Sequence, residues 1–77
     1  MLDYRQALGD RIREMRQQRN LTQERVFLAV GIPRTTYQGI ERGQSDPVLS
    51  DLLLIARRLG VPLAELVDTE AASDGSG

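Results

Sequence analysis

Three residues, Gly31-Ile32-Pro33, separate two short runs that both carry helical spacing, TQERVFLAV before them and RTTYQGIER after them. Glycine ends a helix readily because it adopts a left-handed conformation at little cost. Proline fits the first position of the next helix because the N–H it lacks has no partner there anyway. The sequence therefore predicts two short helices held apart by a tight turn. The second runs from about Pro33 to Arg42 and stops at Gly43, with Tyr37 and Ile40 on one inward face.

The rest of the chain is punctuated in the same way. Tyr4, Leu8, Ile12 and Met15 recur at helical spacing, with Arg5, Arg11, Arg13, Glu14 and Gln17 between them. This is one amphipathic helix of about four turns, ended at Asn20-Leu21. Thr22 is placed to cap the next helix, and Glu24 lies in its first turn, where the helix dipole favours an acid. Asp46-Pro47 is a further start signal, an acid at the cap followed by proline. Leu49, Leu52, Leu53, Ala56 and Leu59 then form the inner stripe of a fourth helix, ended by Gly60. Pro62 opens a short fifth helix with Leu63, Leu66 and Val67 turned inward. There is no strand pattern and no internal repeat. The expected fold class is all-α, a five-helix domain over residues 1–68. Residues 69–77, TEAASDGSG, lack apolar periodicity and are expected to form a disordered acidic tail.

Composition excludes much of the chemistry open to a small domain. With no cysteine and no histidine, disulfides, thiolate sites and His/Cys zinc sites are ruled out, and the commonest general base is missing. No enzyme activity, cofactor, metal or small-molecule ligand is expected. No stretch approaches the roughly 18 apolar residues of a membrane span, and MLDYRQALGD has no signal-peptide core, so the expectation is a cytoplasmic protein with no membrane partner. The net charge is −1, but it is unevenly spread. Residues 1–64 hold ten arginines against seven acids, while residues 65–77 hold four acids and no arginine. The body is mildly basic, a weak pointer toward nucleic acid.

A short brace helix, a tight turn and a second helix free to enter a groove make a helix-turn-helix. The segments LTQERVFLAVGIPRTTYQGIERG and LLLIARRLGVPLAELV resemble the Cro/C1-type (XRE-like) helix-turn-helix family of phage repressors and small bacterial regulators, over roughly Leu8 to Val67. Restriction–modification controller proteins resemble the third helix closely. The resemblance implies double-stranded DNA as one partner and a second copy of the chain as the other. It implies that Arg34 and Thr35 read base edges and that Thr36 and Gln38 contact bases or backbone. Thr22 and Gln23 at the start of the brace helix, and Arg42, Gln44 and Ser45 after the recognition helix, are implied to grip phosphate. Arg16 and Glu41 match a family ion pair between the first and third helices. The apolar surface of the last two helices, Leu54, Leu63, Leu66 and Val67, is the expected dimer contact.

The chain also departs from the family. Pro33 and Pro62 stand where serine or threonine is frequent, and Phe27 stands where alanine is usual. Leu28 and Leu54 replace residues more often charged, and the loop GQSDPVLS has no arginine or lysine. Tyr37 is expected to bury its ring with its hydroxyl at the rim. Gly39 interrupts the recognition helix, where glycine costs about 1 kcal/mol relative to alanine. Either it leaves a gap that lets the helix backbone approach DNA, the preferred reading, or it admits a neighbouring element of the protein itself. The functional expectation is a sequence-specific DNA-binding transcriptional regulator, a homodimer on an inverted-repeat operator. Its rival is a protein-interaction module such as an antitoxin or docking domain.

Overall fold

The computed structural model describes residues 3–69. Within them the chain forms α1 (Tyr4–Gln18), α2 (Gln23–Val30), α3 (Arg34–Glu41), α4 (Leu49–Leu59) and α5 (Leu63–Leu66). No strand occurs among the described residues. Apart from Thr69, the expected acidic tail lies outside them. The helix α1 packs against α3 and α5, and α2 packs against α3 and α4. The core lies between these pairs, centred on Leu8, Ile12, Val26, Tyr37, Ile40, Ile55 and Leu66.

Local chemistry sets most helix ends. The Asp3 carboxylate accepts the N–H of Arg5 at 3.0 Å and caps α1. Thr22 Oγ1 accepts the N–H of Arg25 at 3.1 Å and caps α2. Gly31 ends α2 in the left-handed region at φ 77°, donating its N–H to the Phe27 carbonyl at 3.0 Å. The next N–H, from Ile32, goes to the same carbonyl at 3.1 Å, and the Ile32 side chain is buried as a plug beneath the turn. Arg19 ties two distant ends together: its Nε donates to the Leu59 carbonyl at 2.6 Å, where α4 stops.

Several expected positions shift. Pro33 and Pro62 are not the first helical residues but the caps before them, with extended ψ angles of 146° and 148°. Their carbonyls accept the first helical bonds, from Tyr37 and Leu66. Asp46-Pro47 does not start α4. Residues 46–47 carry no regular structure, Val48 is the extended cap, and the helix begins at Leu49. The buried stripe of α4 is then Leu52, Ile55, Ala56 and Leu59, the i, i+3, i+4, i+7 pattern of one helix face. Leu49 and Leu53, expected inside, are 61% and 49% exposed, and Ile55 takes the central place. Tyr4 is also largely exposed, because the stripe of α1 begins one turn later at Leu8.

Gly9 sets the distance between α1 and α3. It is buried in mid-helix, and a Cβ there would lie 2.5 Å from the Ile40 carbonyl oxygen and 2.6 Å from that of Glu41. Only a residue without a side chain lets α1 lie directly on the C-terminal end of α3.

Candidate nucleic-acid interface

The geometry of α3 is set from below by one buried polar cluster. Glu41 and Arg16 are both buried. Arg16 donates Nε to Glu41 Oε2 at 2.6 Å and NH2 to Oε1 at 3.1 Å, a two-pronged pair, and its NH1 reaches the Leu21 carbonyl at 2.7 Å. The Tyr37 hydroxyl also donates to Glu41 Oε2, so it is buried in this cluster and not at the rim. Gln23 Nε2 donates to Glu41 Oε1 at 3.1 Å. Burial by itself would raise the Glu41 carboxyl, but the hydrogen bonds from Arg16, Tyr37 and Gln23 outweigh it and hold the group below its usual range. The same carboxylate raises Arg16, chiefly through the hydrogen bond. Burial first, and then the bond to Glu41, pushes the Tyr37 phenol up. Among the described residues no buried side-chain nitrogen or oxygen lacks a partner. Three helices are thus pinned to a single carboxylate.

Above this base the first turn of α3 faces out. Arg34, Thr35 and Thr36 are all exposed. No side chain caps this helix, so its leading N–H groups are open to an incoming acceptor, with the positive end of the helix dipole behind them. Arg34 is nevertheless placed. Its NH2 meets Glu24 Oε2 at 3.2 Å, and its Cζ lies 5.2 Å from the centre of the Phe27 ring. Phe27 is buried and tilts 48° against Tyr37, with 6.2 Å between ring centres. The residue that departs from the family pattern therefore fills the space between α2 and α3 and offers a ring face to Arg34.

The other expected contacts fall into two groups. Gln23 and Gln38 are half-buried and adjoin: Gln38 Nε2 lies 3.4 Å from Gln23 Oε1. Through Gln23 they connect the outer face of α3 to the Glu41 cluster. Thr22 is exposed at the start of α2, with its hydroxyl already serving as the cap. Arg42 and Gln44 are exposed beyond the end of α3, and Ser45 is half-buried. The N–H groups of Gln44 and Ser45 both return to the Gly39 carbonyl, at 2.9 and 3.2 Å.

That return fold revises the preferred reading of Gly39. A Cβ at this position would meet Ser45 Oγ at 2.5 Å and Ser45 Cβ at 3.5 Å. The space over the glycine is filled by the protein's own loop. The expected dimer set also needs correction. Leu66 is wholly buried in the core of its own chain and offers no surface to a partner. Leu63 and Val67 are half-buried, and Leu54 is 40% exposed. Leu53, Leu54, Val61 and Leu63 line an open, mostly apolar groove between α4 and α5.

Glu24, Phe27 and Gly9 carry roles that the pattern of the sequence did not expose. The one available signal was Phe27 itself, a large ring where a small residue is usual.

A helix-turn-helix family model matches residues 12–66, from the buried face of α1 to the end of α5. The chain belongs to the helix-turn-helix family. This helix-turn-helix chain is 40% identical over 67 residues to the cryptic phage CTXphi transcriptional repressor RstR of Vibrio cholerae, a match covering 86% of this chain and 60% of that protein. It therefore spans less than two thirds of that repressor's length. It is 26% identical over 76 residues to the control protein C.SmaI of Serratia marcescens, covering 99% of this chain and 90% of that one. The crystal structure of the restriction-modification controller protein C.AhdI from Aeromonas hydrophila superposes with a TM-score of 0.76 at 34% identity, over 79% of this chain and 92% of that chain. Among the described residues, no helix is long and apolar enough to cross a membrane, and no group of three His, Cys, Asp or Glu is placed to hold a metal ion.

Proposed function

We propose that this chain is a transcriptional regulator that binds duplex DNA sequence-specifically as a homodimer, with α3 in the major groove of each half of an inverted repeat. The observation that carries the reading is the uncapped, outward first turn of α3, presenting Arg34, Thr35 and Thr36 while Glu41 anchors the opposite end of the helix. Arg34 and Thr35 read base edges, and Thr36 and Gln38 contact bases or backbone. Thr22 and Gln23 at the start of α2, and Arg42, Gln44 and Ser45 after α3, grip the phosphates that flank a helix seated in the groove. One eight-residue recognition helix reads few bases. Two copies related by a two-fold axis read half-sites about 34 Å apart. The groove lined by Leu53, Leu54 and Leu63 supplies apolar surface for that contact.

Binding to phosphate releases counterions, so affinity falls as salt rises. Each half-site offers few arginines, and the logarithmic slope is shallower than for a strongly basic repressor. A mobility-shift series across salt concentrations tests this. Affinity for duplex DNA that does not change with salt contradicts the proposed contact. A protein-docking role is the second reading, favoured by the exposed Leu28, Val48 and Leu49. Retention of a protein partner without any duplex binding is the result that would select it.

A further inference from the structure

Arg34 is exposed, yet two groups on α2 constrain it. Glu24 takes one N–H of the guanidinium, and the face of Phe27 lies beneath its central carbon. Glu24 and Phe27 are three residues apart, so both stand on the same face of α2. The Arg34 and Glu24 side chains are 60% and 61% exposed, and a pair so open to water is weak. It does not lock the arginine away. The Glu24 contact occupies one of the five guanidinium donors, which leaves the rest for a ligand. Phe27 differs from Glu24 in being fixed, since it is buried between α2 and α3 and braced by Tyr37.

Resting on the DNA-reading assignment above, we propose that Phe27 is a positioning residue for base recognition. Its ring, with Glu24 at one edge, holds the Arg34 guanidinium in a narrow range of orientations before DNA arrives. An arginine that binds guanine uses two parallel donors aimed at O6 and N7, so orientation matters more than charge. A side chain already restricted loses less freedom on binding. The ring adds an electrostatic attraction that a similarly sized aliphatic group lacks. Phe27 therefore acts on discrimination between bases more than on attraction to phosphate.

The test uses the full chain and the duplex that the wild-type protein selects from a random pool. Discrimination is the ratio of affinities for that duplex and for one carrying 7-deazaguanine, which lacks N7, at the guanine Arg34 reads. Phe27→Leu is expected to lower this ratio about twofold to fivefold, with a smaller change in binding to unrelated duplex. In an Arg34→Ala background, Phe27→Leu is expected to change the ratio no further. Because Phe27 is buried, chemical synthesis with a ring-fluorinated phenylalanine at position 27 gives a second variant that keeps shape and weakens the ring face. The same loss of discrimination is expected there, with an unchanged thermal melt. Undiminished discrimination in the fluorinated protein, or an equal loss from Phe27→Leu with and without Arg34, overturns the role of Phe27 alone. A wild-type protein that selects no duplex overturns the DNA reading and this inference with it.

Discussion

Replacing Glu41 by glutamine tests the polar cluster under α3 with almost no change in volume. The wild-type carboxylate accepts two donors from Arg16, one from Tyr37 and one from Gln23, and it is almost fully buried. In Glu41→Gln one acceptor oxygen becomes an NH2 group that faces donors, and the Arg16 charge remains buried without a counter-charge. Removing one partner of a buried pair costs about 3–5 kcal/mol. A domain of this size has a total stability of roughly 4–12 kcal/mol. At roughly 4–8 °C per kcal/mol, the melting temperature falls by about 12–40 °C. Urea denaturation followed by circular dichroism measures the difference directly. The double variant Arg16→Met with Glu41→Leu is expected to lose less than Glu41→Gln, since no unpaired charge is left inside. A loss under about 1 kcal/mol for Glu41→Gln would refute the view that this cluster holds the three helices together.

The remaining expectations concern pH, packing and assembly. Glu41 sits below its ordinary 4.5 in the folded chain, so the unfolded chain binds its proton more tightly. Its contribution is complete above that value and is lost as pH falls through the folded one; urea midpoints should drop on acidification in wild type and fall less steeply in Glu41→Gln. Gly9→Ala drives a methyl into two backbone carbonyls and is expected to cost about 1–3 kcal/mol despite the better helix propensity of alanine, whereas a stabilised variant would show that α1 and α3 separate freely. Gly39→Ala meets only the end of the Ser45 side chain, which rotates aside; stability within about 1 kcal/mol of wild type is expected, and global unfolding in the same urea titration would show that the loop cannot yield. Leu54→Asp leaves the core intact and is expected to shift sedimentation toward monomer with weaker binding to the selected operator; an unchanged sedimentation profile would remove the α4–α5 groove from the proposed dimer contact.

The helix-turn-helix unit was legible because its signals are local. Thr22 caps, Gly31 stops and Pro33 restarts the helix within a few residues of where they stand. The Arg16–Glu41 pair was legible through the family pattern on which both residues fall. The start of α4 was not, because proline fits an extended segment as well as a first helical turn, and only the path from Gly43 to Leu49 decides between them. Spacing within α5 placed Leu66 inward, as found, but whether that side chain is spent on the core or left for a second copy depends on how α5 docks against α1 and α4. Gly9 carried no local signal, as its reason is the backbone of α3. Glu24 and Arg34 lie on different helices, and their meeting over Phe27 depends on the angle across the turn.

The central claim is that α3 reads bases through Arg34. Selection from a random duplex pool, run in parallel with wild type and Arg34→Ala, tests it most directly. The account predicts that wild type enriches an inverted repeat with half-sites about one helical turn apart, and that Arg34→Ala loses a guanine at the same position of each half-site while its melt is unchanged. Enrichment of no motif by the wild type, or of the same guanine-bearing motif by both proteins, would contradict it.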